Sequence, residues 1–493
     1  MKKSIYCGGG FLDNQLLWVI PVIDGYCESN NVDTIIFERK LSDRIINNNY
    51  ISKIINKYKI YSLKDDLSFF QFINIILFFI KNSFKLIYYS LIINRKILLN
   101  KKVSWEKIQI FHSIWDTSFS YLKDGDLSPN FFHKLKAALR VFLNIYFAYL
   151  LEKKKIFTAF MGHSVYTARA MIAVFRKFKI RIIVQANSSL YVLPLLVDNS
   201  WYIVNKNTSH KLNNGKIRKE SLIYWNARLK GFANYEDAKI AFNKKKYPKS
   251  YCNFSNVILL HIFRDSAFNI IDRERIFSDY IDWIDNTLKI IKNSNEEWII
   301  RPHPNFKRWG ENSYITYKKI LSNIIDKNEI KNIKYFDEKI SNIELLKNAK
   351  RIVTFSGTAH LEAACLGAKP IVISKSTLAN TSNKGFVFKP KNLYQYTKLL
   401  LTNSKSSIFK LSSKQKRHAR FILFIREKII NLTKDLNSTT IYRGDANKIR
   451  DYEFNNIYKK LDKKSYFLRE TGKYLGKDIK NTISEKYFKH FRI

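Results

Sequence analysis

Cysteine is scarce in this chain, and its placement excludes two structural classes. Four residues (Cys7, Cys27, Cys252 and Cys365) are scattered over 493 positions. Neither a disulfide scaffold nor a zinc ribbon is built at such spacings. Glycine is also sparse, at 15 residues, which rules out a collagen-like repeat. Acidic residues are outnumbered, with 41 Asp and Glu against 86 Lys and Arg, for a formal charge of +45. That deficit favours an anionic partner: a nucleotide-linked substrate, an acidic membrane face or nucleic acid. Part of the excess is compositional, because Ile, Lys and Asn dominate everywhere. An uninterrupted apolar run is missing too. Phe69–Ile80 and Phe84–Ile93 are the most apolar stretches, but Gln71, Asn74, Lys81, Asn82 and Lys85 break them. A spanning helix needs about 20 apolar residues, so no span is expected. Ala137–Leu151 carries Arg140 and Asn144 and is too short. These runs read as buried helices of a large domain, or as a monotopic patch whose flanking lysines meet anionic headgroups. No long apolar segment follows Met1-Lys2-Lys3 before Gly8, so a secretory signal is not read. The expectation is a cytoplasmic protein, peripheral on the inner face of the cytoplasmic membrane under the patch reading.

What is present is globular. Hydrophobic residues make up 46% and charged residues 26%, which excludes a disordered chain. At roughly 150 residues per domain, the length suggests two to four domains. Ser4–Cys7 reads as a strand, Gly8-Gly9-Gly10 as a turn, Asp13 to Ser29 as a helix and Asp33–Glu38 as the next strand. That order opens a doubly wound α/β domain. The glycine triplet is not a dinucleotide fingerprint, since the downstream Gly-x-x-Gly is missing. Strands Ile156–Met161 and Ile180–Gln185 flank a helix at Tyr166–Phe178. A second α/β unit starts at the buried strand Asn256–Phe263 and continues through strands at Trp298, Ile333, Arg351 and Ile371. Short connections between alternating strands and helices favour a parallel sheet. The expected organisation is an N-terminal domain over 1–204, a Lys- and Asn-rich linker over 205–250, a second domain over 251–400 and a helical extension over 401–493. The extension carries 23 Lys and Arg against nine Asp and Glu.

Two segments of the second unit carry chemistry. Residues 298–305 (Trp-Ile-Ile-Arg-Pro-His-Pro-Asn) read as a strand opening into a loop stiffened by Pro302 and Pro304. Arg301 and His303 are thereby held at a strand's carboxyl end, where open α/β sheets place ligands. A guanidinium and an imidazole there suit a phosphate; the plainer reading is a proline-rich turn with a satisfied surface histidine. In residues 351–374 a strand ends at Phe355, and Ser356-Gly357-Thr358 turn into a helix. The first N–H groups of that helix have no internal partner and, with the helix dipole, favour an anion. Gly357 lets the backbone approach an oxygen closely, and Ser356 and Thr358 add hydroxyls. Glu362, on the first turns, can accept hydrogen bonds from a ribose diol. The plainer reading here is a helix capped by Thr358 or Ser356, with Glu362 merely favouring the dipole. Together the two segments favour a nucleotide-diphosphate site.

The strings RPHPN (301–305) and TFSGTAHLEAACLGAKPIVIS (354–374) resemble the nucleotide-binding half of a GT-B glycosyltransferase. They are most similar to bacterial capsule-polysaccharide and surface-polysaccharide biosynthesis proteins, whose relatives include β-Kdo transferases. Residues 261–305 extend the likeness, with a His-x-x-x-Asp turn and an Asp-Tyr-x-x-Trp-x-x-x-Thr-Leu helix. The match is good over roughly 256–390 and holds only by pattern over the first 200 residues. The resemblance implies two Rossmann-like doubly wound α/β domains facing a cleft, a nucleotide-sugar donor held by the C-terminal one, and no metal or other cofactor. His303 matches the family's His-Pro position, and Ser356, Gly357, Thr358 and Glu362 match its Ser-Gly-Thr…Glu motif. His261 and Arg264 belong on the donor side if their turn faces the cleft; a solvated helix-capping turn is the alternative.

The acceptor side falls to the N-terminal domain. Gly8, Gly9 and Gly10 place small residues at the first strand's end, with Asp13 beginning the next helix, and His163 follows another strand. An inverting transferase needs a base near the acceptor hydroxyl. Asp13 and His163 are the titratable residues placed near the glycine loop, although each also reads as an ordinary helix-start residue. The expected activity is sugar transfer from a nucleotide-sugar to a saccharide, free or lipid-linked, in capsule, O-antigen or other surface-glycan synthesis. A sugar-nucleotide epimerase or a polyol-phosphate transferase on the same fold is the first alternative. A non-enzymatic nucleic-acid or membrane-binding protein is the second, but no RNP-type strand, helix-turn-helix or compact Arg-rich tract supports nucleic acid as a partner.

Overall fold

A computed structural model describes residues 3–100, 102–163, 165–186, 189–193, 215–231, 256–263, 276–292, 294–303, 306, 310–323, 332–335, 342–374, 385–429 and 446–477. The chain forms two compact units. The first comprises residues 1–118, 130–197 and 430–493, and the second residues 119–129 and 198–429.

The first unit begins with β1 (Lys3–Gly8), α1 (Asp13–Asn30), β2 (Val32–Phe37), α2 (Asp43–Ile46), α3 (Asn49–Ile55) and β3 (Lys59–Ser62). Four helices follow: α4 (Phe69–Ile92), α5 (Arg95–Leu98), α6 (Trp105–Phe119) and α7 (Phe131–Lys153). Then come β4 (Ile156–Met161), α8 (Tyr166–Lys177), β5 (Arg181–Ala186) and β6 (Ser189–Leu193). The sheet order is β3-β2-β1-β4-β5-β6. Every pairing is parallel except β5 with β6. The central strand β1 buries Ile5, Tyr6 and Cys7. The winding reverses between β1 and β4, and a crevice opens beyond the strand ends at such a point.

The second unit contains α9 (Gly215–Leu229), β7 (Asn256–Leu259), α10 (Tyr280–Ile291), β8 (Trp298–Arg301), α11 (Ser313–Ser322) and β9 (Ile333–Tyr335). It continues with α12 (Asn342–Asn348), β10 (Arg351–Thr354), α13 (Ala359–Leu366), β11 (Ile371–Val372), α14 (Leu393–Leu401) and α15 (Ser413–Phe424). Its sheet runs β11-β10-β7-β8-β9, parallel throughout, with the reversal between β7 and β10. The three central strands, β7, β8 and β10, have four residues each and are buried along their whole length, as expected of parallel strands with helices covering both faces. Asp279 caps α10 by accepting from the Asp282 N–H at 2.8 Å, as expected of an acid preceding an apolar helix. The α/β doubly wound expectation for both halves therefore holds in strand order.

Three expectations need correction. Within the expected linker, residues 215–229 are a helix of the second unit, with Ile217, Ser221, Tyr224, Trp225 and Arg228 buried at helical spacing. The rest of 205–250 lies outside the described residues, apart from the turn at 230–231. The segment 401–493 is not one extension. Residues through 429 stay with the second unit, whereas α16 (Ala446–Lys477) packs along α1 of the first. Their backbones meet at glycines: a Cβ on Gly472 would sit 1.8 Å from the Val22 carbonyl oxygen, and one on Gly25 equally close to that of Arg469. Lastly, the two interrupted apolar runs are one helix, α4, long and apolar enough to cross a membrane. Asn74, Lys81 and Lys85 break the linear string, but at 100° per residue they fall along one edge of the helix. The buried-helix reading fails, because only 11% of its most apolar window is buried.

Candidate active site

At the reversal point of the second sheet, three adjacent strands β10, β7 and β8 deliver Ser356-Gly357, His261 and His303 beyond their carboxyl ends. His261 joins the other two. Its Nε2 lies 2.8 Å from the Ser356 carbonyl oxygen, and its ring centroid is 6.3 Å from that of His303. The imidazole is stacked on Tyr280 at 5.1 Å, with 2° between the planes. Gly357 has φ +87° and comes so close to His261 that a Cβ would lie 2.7 Å from Cε1. Only glycine fits that conformation and contact together.

Both histidines titrate low. Burial, aided by the charge of His303, holds His261 at about 4, and burial, aided by Arg301, holds His303 at about 4. They are neutral imidazoles at pH 7, and so act as hydrogen-bonding groups rather than cations. His360, on the first turn of α13, is pushed down to about 3, again mainly by burial.

The capped-helix reading of residues 356–362 does not hold. Thr358 occupies the N-cap of α13 but its side chain makes no capping bond. Ser356 is buried, and its Oγ has no hydrogen-bond partner. An uncapped helix start beside an unpartnered buried hydroxyl is a place where an anionic oxygen fits.

Glu362 is elsewhere engaged. Arg228 of α9 bonds the Glu362 carboxylate through one nitrogen and Glu427 through the other, at 2.6 Å. Tyr224 donates to Glu427 as well. Burial raises the Glu362 carboxyl above its ordinary value despite Arg228. Arg228 titrates higher than usual, since the two carboxylates outweigh its desolvation. Arg301 is buried, with Nε 3.1 Å from Asn342 Oδ1 of α12. Arg264 and Pro304 lie outside the described residues.

The first unit holds a cavity of about 620 Å³ over β1 and β2, lined by Gly8, Gly10, Asp13, Glu38, Arg39 and Arg44 among others. Residues Asp451 and Phe454 of α16 form part of its wall. The glycine loop is already filled by an internal acid: the N–H groups of Gly9 and Gly10 donate to Glu38 Oε2 at 2.7 and 3.2 Å. Lys64 pairs with the other oxygen at 2.5 Å. Burial would raise the Glu38 carboxyl, but Lys64 and the two amides outweigh it and hold it below its ordinary value. Asp13 accepts from the Ser42 hydroxyl at 2.8 Å. His163 is exposed beside Gly10. Asp13 and His163 thus both border the glycine loop, but Glu38 is a third titratable residue there, which the sequence reading did not place.

Sequence reasoning also missed Arg228 and Glu427. A signal for the first existed in the buried 217/221/224/225/228 spacing; for the second there was none, because Glu427 meets Arg228 only through tertiary packing. Among the described residues, no group of three or more His, Cys, Asp or Glu side chains is placed to hold a metal ion.

No protein-family model matches the chain, and no curated protein matches it. Solved structures similar to it include UDP-GlcNAc 2-epimerase from Methanocaldococcus jannaschii in complex with UDP-GlcNAc and UDP. That match has 15% identity, covers 86% of this chain and 99% of the other, and has a TM-score of 0.28. KpsC, a β-Kdo 2,4 transferase from Thermosulfurimonas dismutans, is similar at 13% identity over 61% of this chain and 87% of its own, with a TM-score of 0.33. A glycosyltransferase from Rickettsia africae is 9% identical over 95% and 98%, with a TM-score of 0.25. At such values the fold rests on the two strand orders themselves, which make this chain a protein of two doubly wound α/β units.

Proposed function

We propose that the protein is a glycosyltransferase of GT-B type that takes a nucleotide-sugar donor in its second unit. The observation carrying this reading is the His261 bridge, which holds the Ser356-Gly357 turn against the His303 loop beside the uncapped start of α13. A diphosphate would accept from the Ser356 hydroxyl and from the first α13 amides, while His303 donates to the leaving oxygen as a neutral imidazole. Stabilising the departing nucleotide in this way is electrostatic catalysis by fixed dipoles. The ribose is assigned to the neighbourhood of Glu362, whose bond to Arg228 fixes the carboxylate's position. The acceptor saccharide, free or lipid-linked, is read into the first unit's cavity, with Asp13 or His163 taking the hydroxyl proton. Surface-polysaccharide synthesis is the process we favour, on the resemblance of residues 256–390.

The test is a thermal-shift panel of UDP-, GDP-, CMP-, CDP- and dTDP-sugars on purified protein, followed by turnover with and without saccharide acceptors. A selective shift with acceptor-dependent release of nucleotide supports the reading. Sugar interconversion without an acceptor would make it an epimerase, and transfer from a CDP-polyol a phosphotransferase. No shift with any nucleotide would overturn the site assignment.

A further inference from the structure

We infer that α4 is an in-plane membrane-docking helix, and that its partner is the surface of an anionic lipid bilayer. The helix has 24 residues and so is about 36 Å long. It contains no Asp or Glu. One face is covered by the protein itself: Phe78 packs on Phe142 and Tyr146, Tyr89 on Phe111 and Phe142, and Leu86 and Ser90 are buried. The opposite face is also apolar and stands in solvent. Phe69, Ile76, Ile80, Phe84, Ile87 and Leu91 recur at the three-, four- and seven-residue spacings of one helical stripe, and all are exposed, Phe84 to 85%. Solvent-facing stripes of this size mark an interaction surface.

Charge identifies the occupant. Lys81 and Lys85 are exposed and lie one residue, or about 100° around the helix, from Ile80 and Phe84. Between Asp66 and Asp116 the sequence has seven Lys and Arg and a single acid, Glu106. An apolar stripe edged by cations is what enters the acyl–headgroup boundary of an anionic leaflet. A second protein copy would meet the same positive edge and be repelled by it.

Packing decides between lying on the membrane and crossing it. The ring contacts of Phe78 and Tyr89, about three turns apart, fix α4 lengthwise on α6 and α7. A crossing helix would carry α7 into the hydrocarbon, with Lys134, Lys136, Arg140 and Lys153, which is costly. Lying flat immerses the stripe alone. This inference does not depend on the enzymatic reading, and its test uses no nucleotide.

The experiment is flotation of the full-length protein with vesicles of phosphatidylcholine alone or with phosphatidylglycerol added, at low and high salt. Binding to the anionic vesicles, weakened by salt, is expected. Phe84→Asp should weaken it by about tenfold or more, since a charge enters the stripe. Lys81→Gln with Lys85→Gln should lower binding and flatten its salt dependence while leaving the fold, read by circular dichroism, unchanged. The proposal is overturned if the wild-type protein stays unbound with both vesicle types. It is equally overturned if the protein dimerises by sedimentation and Phe84→Asp abolishes the dimer, because the stripe then belongs to a second copy.

Discussion

The Nε2 atom of His261 donates to the carbonyl oxygen of Ser356 at 2.8 Å. A carbonyl can only accept, so this bond fixes the neutral Nε2–H tautomer. One imidazole thereby holds the turn that opens α13, and the same ring faces His303. The site is built from three strand ends that are distant in sequence and adjacent in the sheet.

Ser356→Ala should separate stability from binding. The Oγ is buried without a partner, so its removal from the free protein should change stability little, or raise it. In the occupied site the hydroxyl donates to a charged oxygen, a bond worth about 1.5–3 kcal/mol. Nucleotide-sugar affinity should therefore fall by roughly tenfold to a hundredfold. Thermal unfolding and ligand titration read the two effects independently, and equal loss in both would refute the assignment.

Gly357→Ala should damage both. The new Cβ meets His261 at 2.7 Å, and a left-handed backbone alone costs a non-glycine residue about 1–2 kcal/mol. A lowered melting temperature together with loss of nucleotide binding is expected. Unchanged binding would mean that the turn does not touch the donor.

Acid should unfold the protein through its histidines. His261 and His303 titrate at about 4 and His360 at about 3, against an ordinary 6.5. Between those values the unfolded chain binds more protons, so stability is full above pH 6.5 and falls as the pH drops toward 4. Each group can add up to about 1.4 kcal/mol per pH unit to that slope. Urea midpoints at pH 7 and 5 should differ, and His360→Asn should narrow the difference. Equal midpoints in the wild type would contradict the burial of these rings.

Arg228→Met should be far more destructive than a surface change. It leaves Glu362 and Glu427 buried without their shared cation, a loss of about 3–5 kcal/mol. Replacing Glu362 with Gln should cost less, because Arg228 keeps Glu427. If denaturant titration ranks the two the other way, the network is not what holds α9 in the second unit.

Gly472→Leu tests the return of the chain to the first unit. Its side chain would enter the Val22 backbone, so overpacking should cost about 1–3 kcal/mol or more. Faster hydrogen exchange over residues 446–477, with β1–β3 still protected, is the expected signature.

The alternation of strands and helices in residues 256–374 was legible because most of the strands centre on short apolar stretches, such as Val257–Leu259, Trp298–Ile300 and Ile352–Val353. So were the strand ends at which the candidate site residues stand, since ligand sites in such sheets follow the carboxyl ends of strands. The α4 helix was misread for a local reason: Lys81 and Lys85 interrupt the string, but not the face it makes when coiled. Arg228 was hidden in a lysine- and asparagine-rich stretch whose helical burial shows only against α15.

By itself, the sequence determined which residue types stand at the strand ends: the glycine triplet, the Pro-braced His303 and the Ser356-Gly357-Thr358 turn. These depend on local backbone chemistry and neighbouring residues. Only the tertiary structure decided that Thr358 leaves α13 uncapped, that Glu38 fills the glycine loop, that Arg228 claims Glu362 and that α4 keeps an apolar face in solvent. Glu38 reaches Gly9 across 29 residues and Arg228 reaches Glu362 across 134; sheet order and helix packing bring such pairs together, and no local pattern encodes which buried charge meets which.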